Sequence, residues 1–238
     1  MRQIILTIIL ISTIQIVSGQ DFKYLKPNID DSCVIINKII DTVNHYEQLV
    51  YIDYKRKSKL KESVADFNLT NARLKQVSQT YDDIVKKEKM KIKKFKNPLP
   101  SKWIKINKYK GNWTLYDDIE FNTRYILTDS SLIIFDMDGL YSNVITDLKY
   151  NKKDYKFTLL GLTWGNPQSI SEYTLNIKII NKDRMITLWE INRDGQIYYS
   201  LMIPESKKTE YPIIGIITTD LMGDESKILD EINYKVLK

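Results

Sequence analysis

The sequence predicts an α+β fold: an N-terminal α-helical hairpin, then an antiparallel up-and-down β-barrel or sandwich, then a short C-terminal helix. Three observations carry this. No Gly or Pro interrupts the chain between Pro27 and Pro98, which is a helix signal over so long a stretch. Beyond Pro98 and Pro100 the chain breaks into short runs rich in β-branched and aromatic residues, separated by turn dipeptides, the pattern of hairpin-linked strands. From Ser226 to Leu237, Ile228, Leu229, Ile232 and Val236 return to helical spacing.

Residues 1–19 read as a signal peptide. Arg2 precedes a mostly apolar run from Ile4 to Val17, and Val17-Ser18-Gly19 supplies small residues at the cleavage point. This three-part pattern directs export, and the run is short for a membrane span. The expectation is therefore a secreted, periplasmic or cell-envelope protein starting at Gln20, with no transmembrane span after cleavage. Residues 20–29 form a linker.

Residues 30–96 read as two helices. Asp30, Asp31 and Ser32 offer N-caps. Ile36, Ile40, Val43, Glu47, Val50 and Tyr54 then follow helical spacing, with Ile39 and Tyr46 widening the stripe. A second stripe runs through Leu60, Val64, Phe67, Leu74, Tyr81, Val85, Ile92 and Phe95. The capping residues of Asp66–Asn71 place the turn of the hairpin there; one unbroken helix is the alternative. The lone Cys33 precedes Val34, Ile35 and Ile36 and is expected to be buried.

Charge is concentrated in the second helix and its tail. Residues 55–96 hold 14 Lys/Arg against 5 Asp/Glu, while residues 97–238 hold 18 against 19. Lys86, Lys87, Lys89, Lys91, Lys93 and Lys94 make the densest run. Such a run suits an anionic surface or a protein partner. Nucleic acid is not expected, because Lys dominates over Arg and no aromatics interleave for base stacking.

Residues 97–101, Asn-Pro-Leu-Pro-Ser, are a proline-stiffened linker. Within 102–238 the strand runs are Trp103–Ile106, Trp113–Tyr116, Tyr125–Thr128, Leu132–Phe135, Leu140–Ile145, Tyr155–Leu159, Tyr173–Ile179, Met185–Trp189 and Ile197–Met202. Asp138-Gly139 and Asp194-Gly195 are the strongest hairpin signals between them.

Composition excludes several chemistries. One His and one Cys cannot build a zinc site, a disulfide framework or an iron–sulfur cluster. There is no GxGxxG or GxxxxGK[ST], so the usual nucleotide loops are missing. No metal or cofactor is expected. Asp117, Asp118 and Glu120, and Asp220 with Asp224 and Glu225, lack the spacing of a calcium loop. His45 has no catalytic partner nearby in sequence. Ser58 and Lys61 match a Ser-x-x-Lys spacing that a lysine-rich helix produces by chance.

Lys110-Gly111-Asn112-Trp113 places a Gly-x-Trp at the entry of a strand. With the strand meander and terminal helix, residues 100–238 resemble the lipocalin-like (calycin) barrels. The resemblance implies that Gly111 and Trp113 close one barrel end, with Trp113 under Arg184 or Arg193. It also implies a small apolar ligand held among inward aromatics, of which Tyr125, Phe135, Phe157, Tyr173 and Trp189 are the candidates. The leading expectation is thus a non-enzymatic binding protein with a basic helical interaction module. The alternative is an exported structural or interaction protein with a closed barrel and no ligand, using an exposed stripe of Leu74, Val77, Tyr81 and Ile84.

A second resemblance points elsewhere. Leu132-Ile-Ile-Phe-Asp136-Met-Asp138-Gly139 resembles the first motif of haloacid-dehalogenase-type phosphatases, which would make Asp136 the nucleophile and Asp138 the general acid/base. Thr218, Lys227, Asp224 and Asp230 would complete that site. The fold would require parallel strands with a helix after each, whereas strands are read after Gly139.

Overall fold

In the computed structural model, residues 33–41, 46–117, 123–136, 139–163, 166–218 and 229–237 are described. The signal-peptide segment, the residue 20–29 linker, His45, Lys227 and the carboxylates at 118, 120, 138, 220, 224 and 225 lie outside them.

Twelve strands form one continuous sheet. They are β1 (Cys33–Asp41), β2 (Tyr46–Asp53), β3 (Lys102–Tyr109), β4 (Asn112–Asp117), β5 (Arg124–Leu127), β6 (Ser131–Asp136), β7 (Gly139–Tyr150), β8 (Asp154–Thr163), β9 (Asn166–Asn181), β10 (Ile186–Arg193), β11 (Gln196–Pro204) and β12 (Ile213–Thr218). Strands β5 to β11 run as a meander, each pairing antiparallel with the next. Strand β3 closes the ring by pairing with β11 on one side and β5 on the other. The result is a closed antiparallel eight-stranded barrel, which leaves those strands no free edge. All nine predicted runs fall on β3 to β11.

Strand β3 leaves the barrel at its far end. Its last three residues pair with β4 instead, and β4 continues through β12 and β2 to β1 as a side sheet. Among the described strands, only β4 and β12 pair in parallel.

The first predicted helix is corrected: residues 33–41 and 46–53 are an antiparallel hairpin, β1 and β2. The apolar positions there are Val and Ile in near-continuous runs, which fit a strand buried on both faces as well as a helical stripe. Pairing with β12 decides it, burying Leu49, Val50, Tyr51 and Ile52. Cys33 is half-buried at the start of β1, not enclosed.

The helical signal holds for the next stretch. Helix α1 (Lys59–Val64) is capped by the Ser58 hydroxyl, which accepts the Lys61 N–H at 3.3 Å. Helix α2 (Asn71–Lys87) is capped by Thr70 on the Arg73 N–H. The predicted turn falls between them. Helix α2 ends earlier than its stripe suggests, at Lys87, and Lys89 takes a left-handed φ of 51° that stops the helix. At the C-terminus the described helix is the single turn α3 (Tyr234–Leu237).

The hairpin between β6 and β7 corrects the phosphatase reading. These strands are antiparallel, with Asp136 paired to Gly139, so no helix follows the motif and the parallel sheet of that fold is absent around it. Asp230, offered there as a metal carboxylate, instead accepts the backbone N–H groups of Lys110 and Gly111 at 3.0 and 2.7 Å.

Candidate binding surfaces

Alternation along the strands divides the barrel into two faces. The inward face holds Trp103, Tyr125, Leu127, Leu132, Ile145, Tyr155, Phe157, Leu159, Tyr173, Leu175, Ile177, Trp189 and Met202, one cluster drawn from all eight strands. The outward face of β3, β6, β10 and β11 packs in a second cluster with α1, the α1–α2 loop and the side sheet.

Four of the five expected ligand residues, Tyr125, Phe157, Tyr173 and Trp189, therefore do meet inside the barrel. Phe135 does not. It points outward, edge-on to Phe67 at 5.4 Å and beneath the Arg124 guanidinium at 5.5 Å. The reason is parity: Leu132 faces in, so Phe135, three residues on, faces out.

The interior is filled rather than hollow. Trp103 packs against Trp189 at 5.5 Å between ring centres, and Tyr125 against Trp189 at 4.9 Å. Trp103, Phe157, Leu159, Leu175 and Met202 are each 0% exposed. A cavity wide enough for a ligand would leave water-accessible surface on its lining, and these side chains show none. The rings interdigitate as in an ordinary core.

Trp103 and Trp189 seat in the barrel, and Trp113 does not. Trp103 donates its indole N–H to the Pro100 carbonyl at 2.6 Å. Gly111 forms the two-residue β3–β4 turn with Lys110, both at positive φ, a type I′ geometry that Gly favours. Trp113 lies on β4, outside the ring, with the Lys108 ammonium over its face at 4.5 Å. Arg193 is instead stacked on Tyr173 at 5.0 Å and donates to the Leu162 carbonyl. The Gly-x-Trp thus serves a side-sheet hairpin rather than closing a barrel end.

One barrel end is polar. There Arg193 is 6% exposed and Tyr173 3%. The Tyr173 and Ser171 hydroxyls are buried without a hydrogen-bond partner, and burial raises the Tyr173 pKa above the usual phenol value against the opposing pull of Arg193.

The opposite end is closed by the basic tail. Past α2 the chain runs without regular structure from residue 90 to residue 100. The Phe95 N–H donates to the Asp129 carbonyl in the β5–β6 turn at 2.7 Å, and Leu127 N–H to Ser101 at 2.7 Å. Phe95 and the buried Leu99 join the interior cluster, plugging the mouth. Lys86, Lys87, Lys89, Lys91, Lys93, Lys94 and Lys96 are all exposed. A cleft of about 530 Å³ lies along this joint, lined by Lys94, Phe95, Lys96, Leu99, Leu127 and Asp129.

The turns of that same end add Lys152 and Lys153 between β7 and β8, and Lys182 and Arg184 between β9 and β10. The Ile179 N–H of β9, donating to the Lys153 carbonyl at 3.0 Å, ties the first of these turns to the neighbouring strand. Beside them lies a groove of about 470 Å³ lined in part by Lys149, Tyr150, Tyr155, Lys156 and Lys178, with Tyr150 stacked on Tyr155 at 5.7 Å.

The apolar stripe expected on the second helix is not an exposed surface. Val77 and Ile84 are buried, because α2 lies along β7; Leu74 is the part left open, 46% exposed. Among the described residues no group of three or more His, Cys, Asp or Glu is placed to hold a metal ion. The sequence reading missed Trp103 and the docking of Phe95; the alternation starting at Trp103 carried the first, while nothing local distinguished Phe95 from a helical residue.

Comparison with known proteins finds no matching family model, no similar curated protein and no similar solved structure.

Proposed function

We propose that this chain is an exported, non-enzymatic interaction protein. Its barrel is a closed scaffold, and its binding surface is the lysine-rich end that the tail residues 86–96 cover. The observation that carries this reading is the docking of Phe95 and Leu99 into the barrel mouth. It fixes a run of exposed lysines on a rigid rim instead of leaving them on a loose linker. Fixed like charges raise the local potential and steer an anionic partner. The lipocalin-like alternative, a small apolar ligand inside the barrel, has less support from an interior whose central side chains are almost fully buried.

Replacing Lys91, Lys93, Lys94 and Lys96 with Gln tests the reading. Retention of the full chain on an immobilised sulfated polymer should fall sharply and elute at lower salt. Unchanged retention would contradict it.

One observation favours a second reading. The unpartnered Tyr173 and Ser171 hydroxyls beside Arg193 are buried polar atoms of the kind that a bound polar group satisfies. An anionic head group at that end would meet Arg193; a stoichiometric small molecule in the native mass spectrum would support it.

A further inference from the structure

We infer that the anionic partner of the basic end is a lipid bilayer surface, and that Ile92 and Tyr150 insert into it. This rests on the basic end being the binding surface. What it adds is the partner's chemistry, read from the apolar side chains placed among the lysines.

Most large apolar side chains of the described residues are covered. Ile92 is 52% exposed and Tyr150 57% exposed, and both belong to the lysine-bearing end. Ile92 sits between Lys91 and Lys93 in the docked tail, three residues before the Phe95 anchor. Tyr150 follows Lys149 at the end of β7 and is held upright by stacking on Tyr155. The Lys149–Asp147 contact, at 3.5 Å with side chains 79% and 47% exposed, is a weak surface pair that leaves Lys149 able to face an anion.

A soluble polyanion would be satisfied by the lysines alone and would gain nothing from an isoleucine held in water. A bilayer uses both. Lysines are drawn to an anionic leaflet, an aliphatic side chain gains by leaving water, and a tyrosine suits the interface, with an apolar ring and a polar tip. Among the described residues no helix is long and apolar enough to cross a membrane; the inference is of attachment at the surface.

The test is co-sedimentation of the full chain with phosphatidylcholine vesicles, with and without phosphatidylglycerol. Binding is expected only with the anionic lipid and should weaken as salt rises. Each lysine near the surface contributes roughly fivefold. The quadruple change Lys91→Gln, Lys93→Gln, Lys94→Gln and Lys96→Gln should therefore reduce binding by several hundredfold, on the order of that per-lysine factor compounded. Ile92→Ser should reduce it about tenfold at unchanged net charge, and Tyr150→Ser should act in the same direction. Ile92 lies in an irregular segment and is half exposed, so the fold tolerates its change, which circular dichroism would check. Retention on a sulfated polymer without vesicle binding would overturn the bilayer while sparing the basic surface. Vesicle binding indifferent to Ile92→Ser and Tyr150→Ser would overturn the insertion. Loss of both kinds of binding in the wild-type chain would overturn the underlying reading as well.

Discussion

Tyr51 on β2 reaches across Gly215 on β12 to hydrogen-bond the carboxylate of Asp117 on β4. The register sets this up, because Tyr51 pairs with Gly215 and Gly215 with Asp117. A Cβ at Gly215 would stand 2.9 Å from Cε1 of the Tyr51 ring and closer still to its hydroxyl end. Glycine here is a matter of space rather than backbone angle. The bond ties the side sheet together across its one parallel pairing, and both partners are buried, Tyr51 at 0% and Asp117 at 2% exposure.

Gly215→Ala is therefore expected to destabilise the chain by about 1–3 kcal/mol, the usual cost of overpacking a rigid site. Tyr51→Phe keeps the ring but removes a donor from a buried carboxylate, at a cost of about 1–3 kcal/mol. Chemical denaturation of the two variants checks both. A neutral Gly215→Ala would mean that Tyr51 does not lie over that position.

Tyr173 makes the opposite prediction. Its hydroxyl is buried without a partner, so Tyr173→Phe should cost nothing at neutral pH, or stabilise slightly. The pH dependence follows from the same burial. Desolvation first, then the Asp117 carboxylate, hold the Tyr51 pKa well above its ordinary value, and desolvation does the same for Tyr173. A raised folded-state pKa means that the fold favours the protonated phenol. That stability is complete below the unfolded phenol pKa of about 10 and is lost as pH climbs past it. Lys61, whose pKa burial lowers, works in the other direction. The informative quantity is thus the difference between wild type and Tyr173→Phe: melting temperature should fall less steeply above pH 10 in the variant. Parallel curves would contradict the assignment.

Removing the barrel plug should free the tail. Phe95→Ala deletes the side chain that anchors residues 90–96 to the mouth. Trypsin is expected to cut within Lys91–Lys96 several times faster in the variant, because cleavage of docked segments follows their local opening. Equal rates would show that the tail is already loose in the wild type.

Most of the barrel was legible in the sequence. Eight of the nine strand runs fall on barrel strands; they and the turn dipeptides between them are local signals, and antiparallel hairpins keep their partners adjacent in the chain. Strands β1 and β2 were not. Val50-Tyr51-Ile52 is buried on both faces beside a strand from residue 213 onward, Val34-Ile35-Ile36 pairs only with that buried strand, and a run without alternation cannot be told from a helix by period alone. Tyr125, Phe157, Tyr173 and Trp189 fall on the inward parity of their strands; Phe135 falls on the outward parity of β6, which an aromatic count without parity does not register. The Gly-x-Trp misled, since a type I′ turn followed by a partly buried tryptophan produces the same three residues without a barrel end to close. The basic run was visible as composition, but its docking depends on Phe95 meeting a mouth assembled from distant strands.

The account turns on whether the barrel is full. Native mass spectrometry of the chain, purified gently from its producing organism, tests this most directly. A filled barrel predicts the calculated mass of the polypeptide and nothing more. A stoichiometric mass excess the size of a small molecule, lost on denaturation, would contradict it and move the binding site from the lysine-rich end to the interior beside Arg193 and Tyr173.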